Sequence, residues 1–298
     1  MKTIVTLLFF AAISCFYLHA QQPIQVSEDS IRFISGTYPG VIVNVPEAGF
    51  ESVEKNWKKV LESGTKSKAV YENGEYFIFG AMLKSISTTP VNVYSKLSSQ
   101  DSLVRLMVSV ELKKNVYVSK STGETELVIA KTFLKDFAKD QYSEFAGEQL
   151  KVEEKKLKDL EKELSNLQKD ESDLEKSIRS SESTIKNEKD NLVVLNNQLN
   201  ALGSEIITQS AEVNAMAEGT AKEERSKYLK EIEKQKTKAS RDIESSEKKI
   251  SKAESTIEDA NDDIPEKKSL QEEAKKKITA QEEVVRKFQN KLNTINAY

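Results

Sequence analysis

From Leu150 to Met216 the chain reads LKVEEKKLKDLEKELSNLQKDESDLEKSIRSSESTIKNEKDNLVVLNNQLNALGSEIITQSAEVNAM, with apolar residues recurring every seven positions in two interleaved sets. One set is Leu150, Leu157, Leu164, Glu171, Ile178, Ile185, Leu192, Leu199, Ile206 and Val213; the other is Glu153, Leu160, Leu167, Leu174, Ser181, Glu188, Leu195, Leu202, Gln209 and Met216. Fifteen of the twenty are apolar. A strict heptad held this long predicts a left-handed coiled coil and not merely a surface helix.

The phase breaks at Ala217-Glu218-Gly219-Thr220 and resumes as Leu229, Lys236, Ile243, Ile250, Ile257, Ile264, Gln271, Ile278, Val285 and Leu292. Between them stand Ile232, Ala239, Ser246, Ala253, Ala260, Lys267, Ala274, Gln281, Phe288 and Ile295. Folding the chain back at Gly219 pairs residue i with 438 − i, so large faces small: Leu199 on Ala239, Leu192 on Ser246, Ile185 on Ala253 and Ile178 on Ala260. Glu171 then faces Lys267. The pattern predicts an antiparallel coiled-coil hairpin over 150–298 with its tip near 217–221, in preference to an unbroken helix paired with a second molecule. At ~1.5 Å per residue, arms of about 70 residues would reach roughly 100 Å and return the C-terminus to the region before residue 150. Pro265 removes a helical hydrogen bond and is expected to kink or break the second arm, with Asp262 and Asp263 available as caps.

Before residue 150 the composition changes. Fourteen aromatics lie in 21–149 against three beyond it, and four of the five prolines stand at or before Pro90, so a globular core belongs here. The run Gly40 to Val45 reads as a strand, and Phe50, Val53, Trp57, Val60 and Leu61 recur at helical spacing between Gly49 and Gly64. Asn73-Gly74 marks a hairpin between 69–72 and 75–83. Val91 to Leu97 and Leu103 to Leu112 read as strands flanking a turn at Ser98-Ser99-Gln100-Asp101, and Val116 to Val118 is a short further strand. After Thr122-Gly123 a helix carries Leu127, Leu134, Phe137, Ala138, Tyr142 and Phe145 on one stripe and continues into the heptads. The expected fold is α+β: a small two-layer domain over 21–125 with an antiparallel sheet covered on one face by two helices, a joining helix over 126–149, and the hairpin. In order of elements the domain resembles ferredoxin-like and similar two-layer folds, a likeness of layout that carries no function.

Met1 to Ala20 reads as a signal peptide, with Lys2 before the apolar stretch Ile4 to Tyr17 and cleavage expected after Ala20. The resulting location is periplasmic or extracellular; the alternative is a lipoprotein anchored through Cys15, after Ala12-Ile13-Ser14. No later stretch is apolar enough to be a transmembrane segment. Cleavage would remove Cys15 and His19, the sole cysteine and histidine of the chain, leaving a net charge of −3 − 1 = −4. That chain would lack a disulfide, a thiol nucleophile, the usual general base near neutral pH and the main zinc ligands. Acids and bases are finely mixed, which argues against a nucleic-acid surface. Gly64-Thr65-Lys66-Ser67 is a helix-ending turn and no phosphate-binding loop, and the cluster Asp259, Asn261, Asp262, Asp263 lacks the spacing and glycine of a calcium loop.

These readings point to a non-enzymatic extracytoplasmic structural or interaction protein that uses the hairpin as spacer, clamp or adaptor. No catalytic, cofactor-binding or metal-binding residue is assigned and no cofactor is expected. The partner is an unidentified protein of the cell envelope, with Met216 and Gly219 at the tip as contact residues beside the surface of the 21–125 domain. The competing class is an enzyme or small-ligand module within 21–125. Trp57, Tyr76, Phe77 and Phe79 could form a ligand patch, but their periodicities assign them to the core.

Overall fold

The computed structural model describes residues 23–100 and 102–298. The signal peptide expected over 1–20, with Cys15 and His19, lies outside the described residues. Two compact units emerge: residues 23–156 with 281–298, and residues 157–280.

The first unit is built on seven antiparallel strands: β1 (Val26–Phe33), β2 (Gly36–Pro46), β3 (Val70–Glu72), β4 (Glu75–Ala81), β5 (Val91–Gln100), β6 (Leu103–Lys113) and β7 (Val116–Tyr117). Their order is β1-β2-β6-β5-β4-β3, with β7 also on β6. Helix α1 (Phe50–Glu62) follows β2, and α2 (Glu124–Ala215) begins after Gly123. Alternation sends Val41, Val43 and Val45 of β2, Val91 and Val93 of β5, and Val104, Leu106, Val108 and Val110 of β6 to one face. There they meet Val53, Trp57 and Leu61 of α1 and Leu127, Ala130, Leu134 and Phe137 of α2. The expected α+β fold, one sheet face covered by two helices, is therefore observed.

Trp57 joins the sheet to both helices. Fully buried, it sits edge-on to Phe137 with centroids 5.2 Å apart and donates its indole N–H to Ser95 Oγ at 2.9 Å. Gly40 lets β2 pass close to its neighbours: a Cβ there would lie 2.5 Å from both the Val108 carbonyl oxygen and Ile31 Cδ1.

Four expectations for this unit are corrected. Strand β1 precedes Gly40 unannounced, because its first half is polar and solvent-facing. Ser98, Ser99 and Gln100 are no turn; they continue β5, paired with Arg105, Val104 and Leu103. The second hairpin strand ends at Ala81, where the register to β5 shifts and Gly80 takes φ +82°. Finally, the sheet has seven strands joined largely as hairpins, in the order β1-β2-β6-β5-β4-β3, so its connectivity departs from the β-α-β-β-α-β order of a ferredoxin-like layout.

Helix α3 (Thr220–Asn296) enters this unit through its last residues. Ile295 is fully buried with Tyr142 and Ala146, and Leu292 packs beside them. Glu47 accepts hydrogen bonds from Tyr142 Oη, at 3.0 Å, and from Lys291 Nζ, which also reaches Gln149 Oε1 at 3.2 Å.

The second unit is the hairpin itself, α2 and α3 side by side. Leu199, Leu202 and Ile206 of α2 share one apolar cluster with Ile232 and Ala239 of α3, and Asn191 with Ser246 and Glu188 with Lys249 are joined by hydrogen bonds across the arms, within one residue of the expected register. The small seam residues Ala239, Ser246, Ala253, Ala260 and Ala274 are buried, together with Ile232 and Gln271 of the same arm. One expected pair is displaced. Glu171 accepts from Gln271 Nε2 at 2.6 Å and pairs with Lys268 at 3.5 Å, while Lys267 reaches Asp170 at 3.3 Å. Long side chains lean away from the seam to neighbours one turn along, where solvent still reaches the charge. Nor does Pro265 break α3, which is helical throughout from Thr220 to Asn296. One lost N–H is a small defect where Ala260, Gln271 and Ala274 are held against the other arm on both sides, and Asp262 and Asp263 cap nothing.

Candidate functional site

The sheet face away from the helices carries more aromatic surface than a solvated face requires. Ile31 and Phe33 of β1, Tyr38 and Ile42 of β2, Tyr94 of β5 and Met107 of β6 form a second apolar cluster drawn from strands alone. Both faces of these strands are apolar, which is why β2 reads as an almost continuous hydrophobic run.

The rings touch in sequence. Tyr38 stacks on Tyr117 at 4.6 Å and 13°, and lies 5.3 Å from Tyr94 and 6.2 Å from Phe33. Phe79 stands edge-on to Tyr94 at 6.3 Å and leads to Phe77 at 5.9 Å. Phe79 is the outermost ring, 57% exposed. Offset and edge-on contacts of this kind contribute about 0.5–1.5 kcal/mol per pair beyond burial, so the plaque is a firm platform and not a set of loose side chains.

Polar groups frame it. Lys96 Nζ lies 5.6 Å from the Phe33 ring centre and donates to the Arg32 carbonyl at 2.6 Å. Glu111, largely buried, accepts from Asn92 Nδ2 and the Asn115 backbone N–H, both at 2.8 Å. Burial first, and then the nearby Glu111 charge, push the phenols of Tyr94 and Tyr117 above their usual range, so both remain protonated donors at physiological pH. Arg105, on the same face of β6 as Met107, has its Nε buried without a hydrogen-bond partner. Flat rings with a few fixed donors suit stacking and apolar recognition.

A crevice on the helical side is lined by apolar side chains. Its wall, including Leu83, Ile86, Val118, Phe133 and Leu134, bears no ionisable or nucleophilic side chain. Among the described residues no group of three or more His, Cys, Asp or Glu is placed to hold a metal ion, and no helix is long and apolar enough to cross a membrane.

Of the aromatics singled out in the sequence, Trp57 and Tyr76 are core, as expected. Phe77 and Phe79 are not. They face the other way, and the expectation that all four point inward is corrected. Sequence reasoning also missed Phe33, Tyr38, Tyr94 and Tyr117; the available signal was an aromatic at the outward positions of strands whose inward positions were already filled.

At the tip the arms end at Ala215 and Thr220. Met216 is half-buried, with its N–H on the Val213 carbonyl at 3.4 Å. Gly219, at φ +157°, caps α3 by accepting the Glu223 N–H at 3.1 Å. Arg225 Nε donates to Glu212 Oε2 at 3.1 Å, stapling the arms just below.

No family model matches the chain, and no curated protein matches it. A solved structure with some likeness is the crystal structure of the Smc head domain with a coiled coil and joint derived from Pyrococcus yayanosii, at 15% identity and a TM-score of 0.27. The match covers 74% of this chain and 54% of that one, so this chain spans about half its length. A likeness this slight carries no argument about fold or activity.

Proposed function

We propose that the protein is a non-enzymatic, exported binding protein whose recognition surface is the aromatic face of the sheet and whose coiled-coil hairpin serves as a spacer or adaptor. The observation that carries this reading is the plaque of Phe33, Tyr38, Phe77, Phe79, Tyr94 and Tyr117, joined ring to ring, with buried Phe33 supporting it and Phe79 exposed. Aromatic anchors contribute disproportionately to protein interfaces because they bury a large area at little rotamer cost. The partner chemistry that fits is a protein segment presenting apolar or aromatic side chains. Arg105 would supply a cationic donor at its edge. Export rests on Met1 to Ala20 and envelope location follows from it.

A photo-reactive phenylalanine at position 79 should crosslink the partner in the native envelope. Phe79→Asp and Tyr94→Ala should lose capture while circular dichroism stays unchanged, since both side chains lie outside the helix-covered core. Full capture by both variants would remove the plaque as the recognition surface. Mass spectrometry of the exported chain tests the leader: a first residue other than Gln21, or a lipidated Cys15, would overturn the cleavage proposed after Ala20.

A further inference from the structure

The outer face of α2 over residues 190–212 differs from the rest of the hairpin. Between Asn191 and Ala211 only Glu205 is charged, whereas 31% charged content across the chain would place about six charges in twenty-one residues. Glu205 is not on the outer face; its carboxylate accepts from Tyr228 Oη of the other arm at 2.6 Å. Outward stand Val193, Val194, Asn197, Asn200, Ala201, Ser204, Ile207 and Thr208, all exposed, with Val193 and Val194 at 63% and Ile207 at 73%. Asp190 and Glu212 close the stripe at its two ends.

The stripe is self-complementary about a point between Asn200 and Ala201. Pairing i with 401 − i brings Val194 onto Ile207 and Val193 onto Thr208 at both ends, sets Asn197 against Ser204, and places Asn200 against Ala201 at the centre. A two-fold contact requires that relation, residue i meeting j while j meets i. An uncharged strip also matches a copy of itself in charge, whereas flanking segments rich in Lys and Glu would meet like charges at unsatisfied spacings. We propose that two copies of this chain associate antiparallel through this stripe of α2, with the two-fold axis between Asn200 and Ala201.

In the full chain carrying Cys15→Ser, Ala201→Cys places a thiol beside the axis, where mild oxidation should yield a covalent dimer. Lys186→Cys, one heptad before Val193 on the same stripe, lies ~43 Å from its own copy along the antiparallel axis and should remain monomeric. Light scattering should show concentration-dependent dimers that Val194→Glu with Ile207→Glu weakens at least tenfold, with helical content unchanged because neither residue faces the seam. The proposal is overturned by a monomer at every concentration, by equal oxidation of the two cysteine variants, or by a dimer that tolerates V194E and I207E. Capture of a different protein through the stripe without self-association would overturn it as well.

Discussion

Trp57 shows how much one side chain carries in the first unit. Its indole fills the junction of sheet, α1 and α2 while its N–H satisfies buried Ser95. We expect Trp57→Ala to cost about 3–5 kcal/mol by loss of area and creation of a cavity. Trp57→Phe should cost less, about 1–3 kcal/mol, much of it from stranding the Ser95 hydroxyl. Urea denaturation of both variants checks the order, and Phe proving as costly as Ala would show that the hydrogen bond matters little. Gly40→Ala makes a different kind of change: the added methyl would meet backbone at 2.5 Å, so strand β2 must shift, and we expect a loss larger than for alanine placed at solvent-open Gly49. The helical spacing of Val53, Trp57 and Leu61 made the inner face readable from sequence. The outer plaque was not readable in the same way, because alternation assigns a residue to a face but says nothing about whether that face is covered. Phe79 and Trp57 look alike in one dimension.

Among the elements, α2 and α3 were the most legible, since a heptad repeated over many turns leaves few alternatives. The sum rule i + j = 438 followed from one glycine and two registers, and the cross-arm hydrogen bonds of Asn191 to Ser246 and Lys249 to Glu188 fall one residue from it. Charged seam positions were less legible: Glu171 and Lys267 each found a partner one position or one turn away. Seam alanines leave no room for a larger side chain. We expect Ala239→Leu to cost about 1–3 kcal/mol through overpacking against Leu199 and Leu202, although leucine is the commoner coiled-coil residue. Lys248→Leu, on the exposed side of the same helix, should change stability by less than about 0.5 kcal/mol. Thermal melts followed at 222 nm distinguish them, and a neutral Ala239→Leu would mean that the arms separate more readily than the buried alanines imply.

For the whole molecule the titrating groups set a pH window. Hydrogen bonds from Lys249 and Ser246 hold Glu188 below its ordinary 4.5, and Lys68 with the Ala69 N–H does the same for Glu62. Groups lowered on folding contribute stability that is present above the ordinary value and lost as pH falls through the folded one. Tyr76 moves the other way, raised from 10.0 to about 12 by burial and then by its bond to Glu54. Its contribution is complete below 10 and disappears as pH rises toward 12. We therefore expect a stability plateau from about pH 5 to pH 10, with losses on both flanks. Tyr76→Phe should make the alkaline flank shallower in a denaturation series, the remainder coming from the raised phenols of Tyr94, Tyr117 and Tyr142, and an unchanged flank would exclude Tyr76 as a contributor.

The ladder of bonds that tie α3 back to earlier parts of the chain also sets an order in time. Arg225 and Glu212 are 13 residues apart, Lys249 and Glu188 61, Gln281 and Glu153 128, and Lys291 and Glu47 244. Closing 128 residues instead of 13 costs roughly 2 kcal/mol more in chain entropy when nothing between has formed, but almost nothing once the preceding rung is in place. The arms should therefore zip from the turn toward the termini. On that account Arg225→Ala slows folding, whereas Lys291→Ala leaves the folding rate alone and speeds unfolding. Pulse-labelling hydrogen exchange would see protection spread from residues 212–225 outward, and protection appearing first near 153 and 281 would reverse the direction of the zipper.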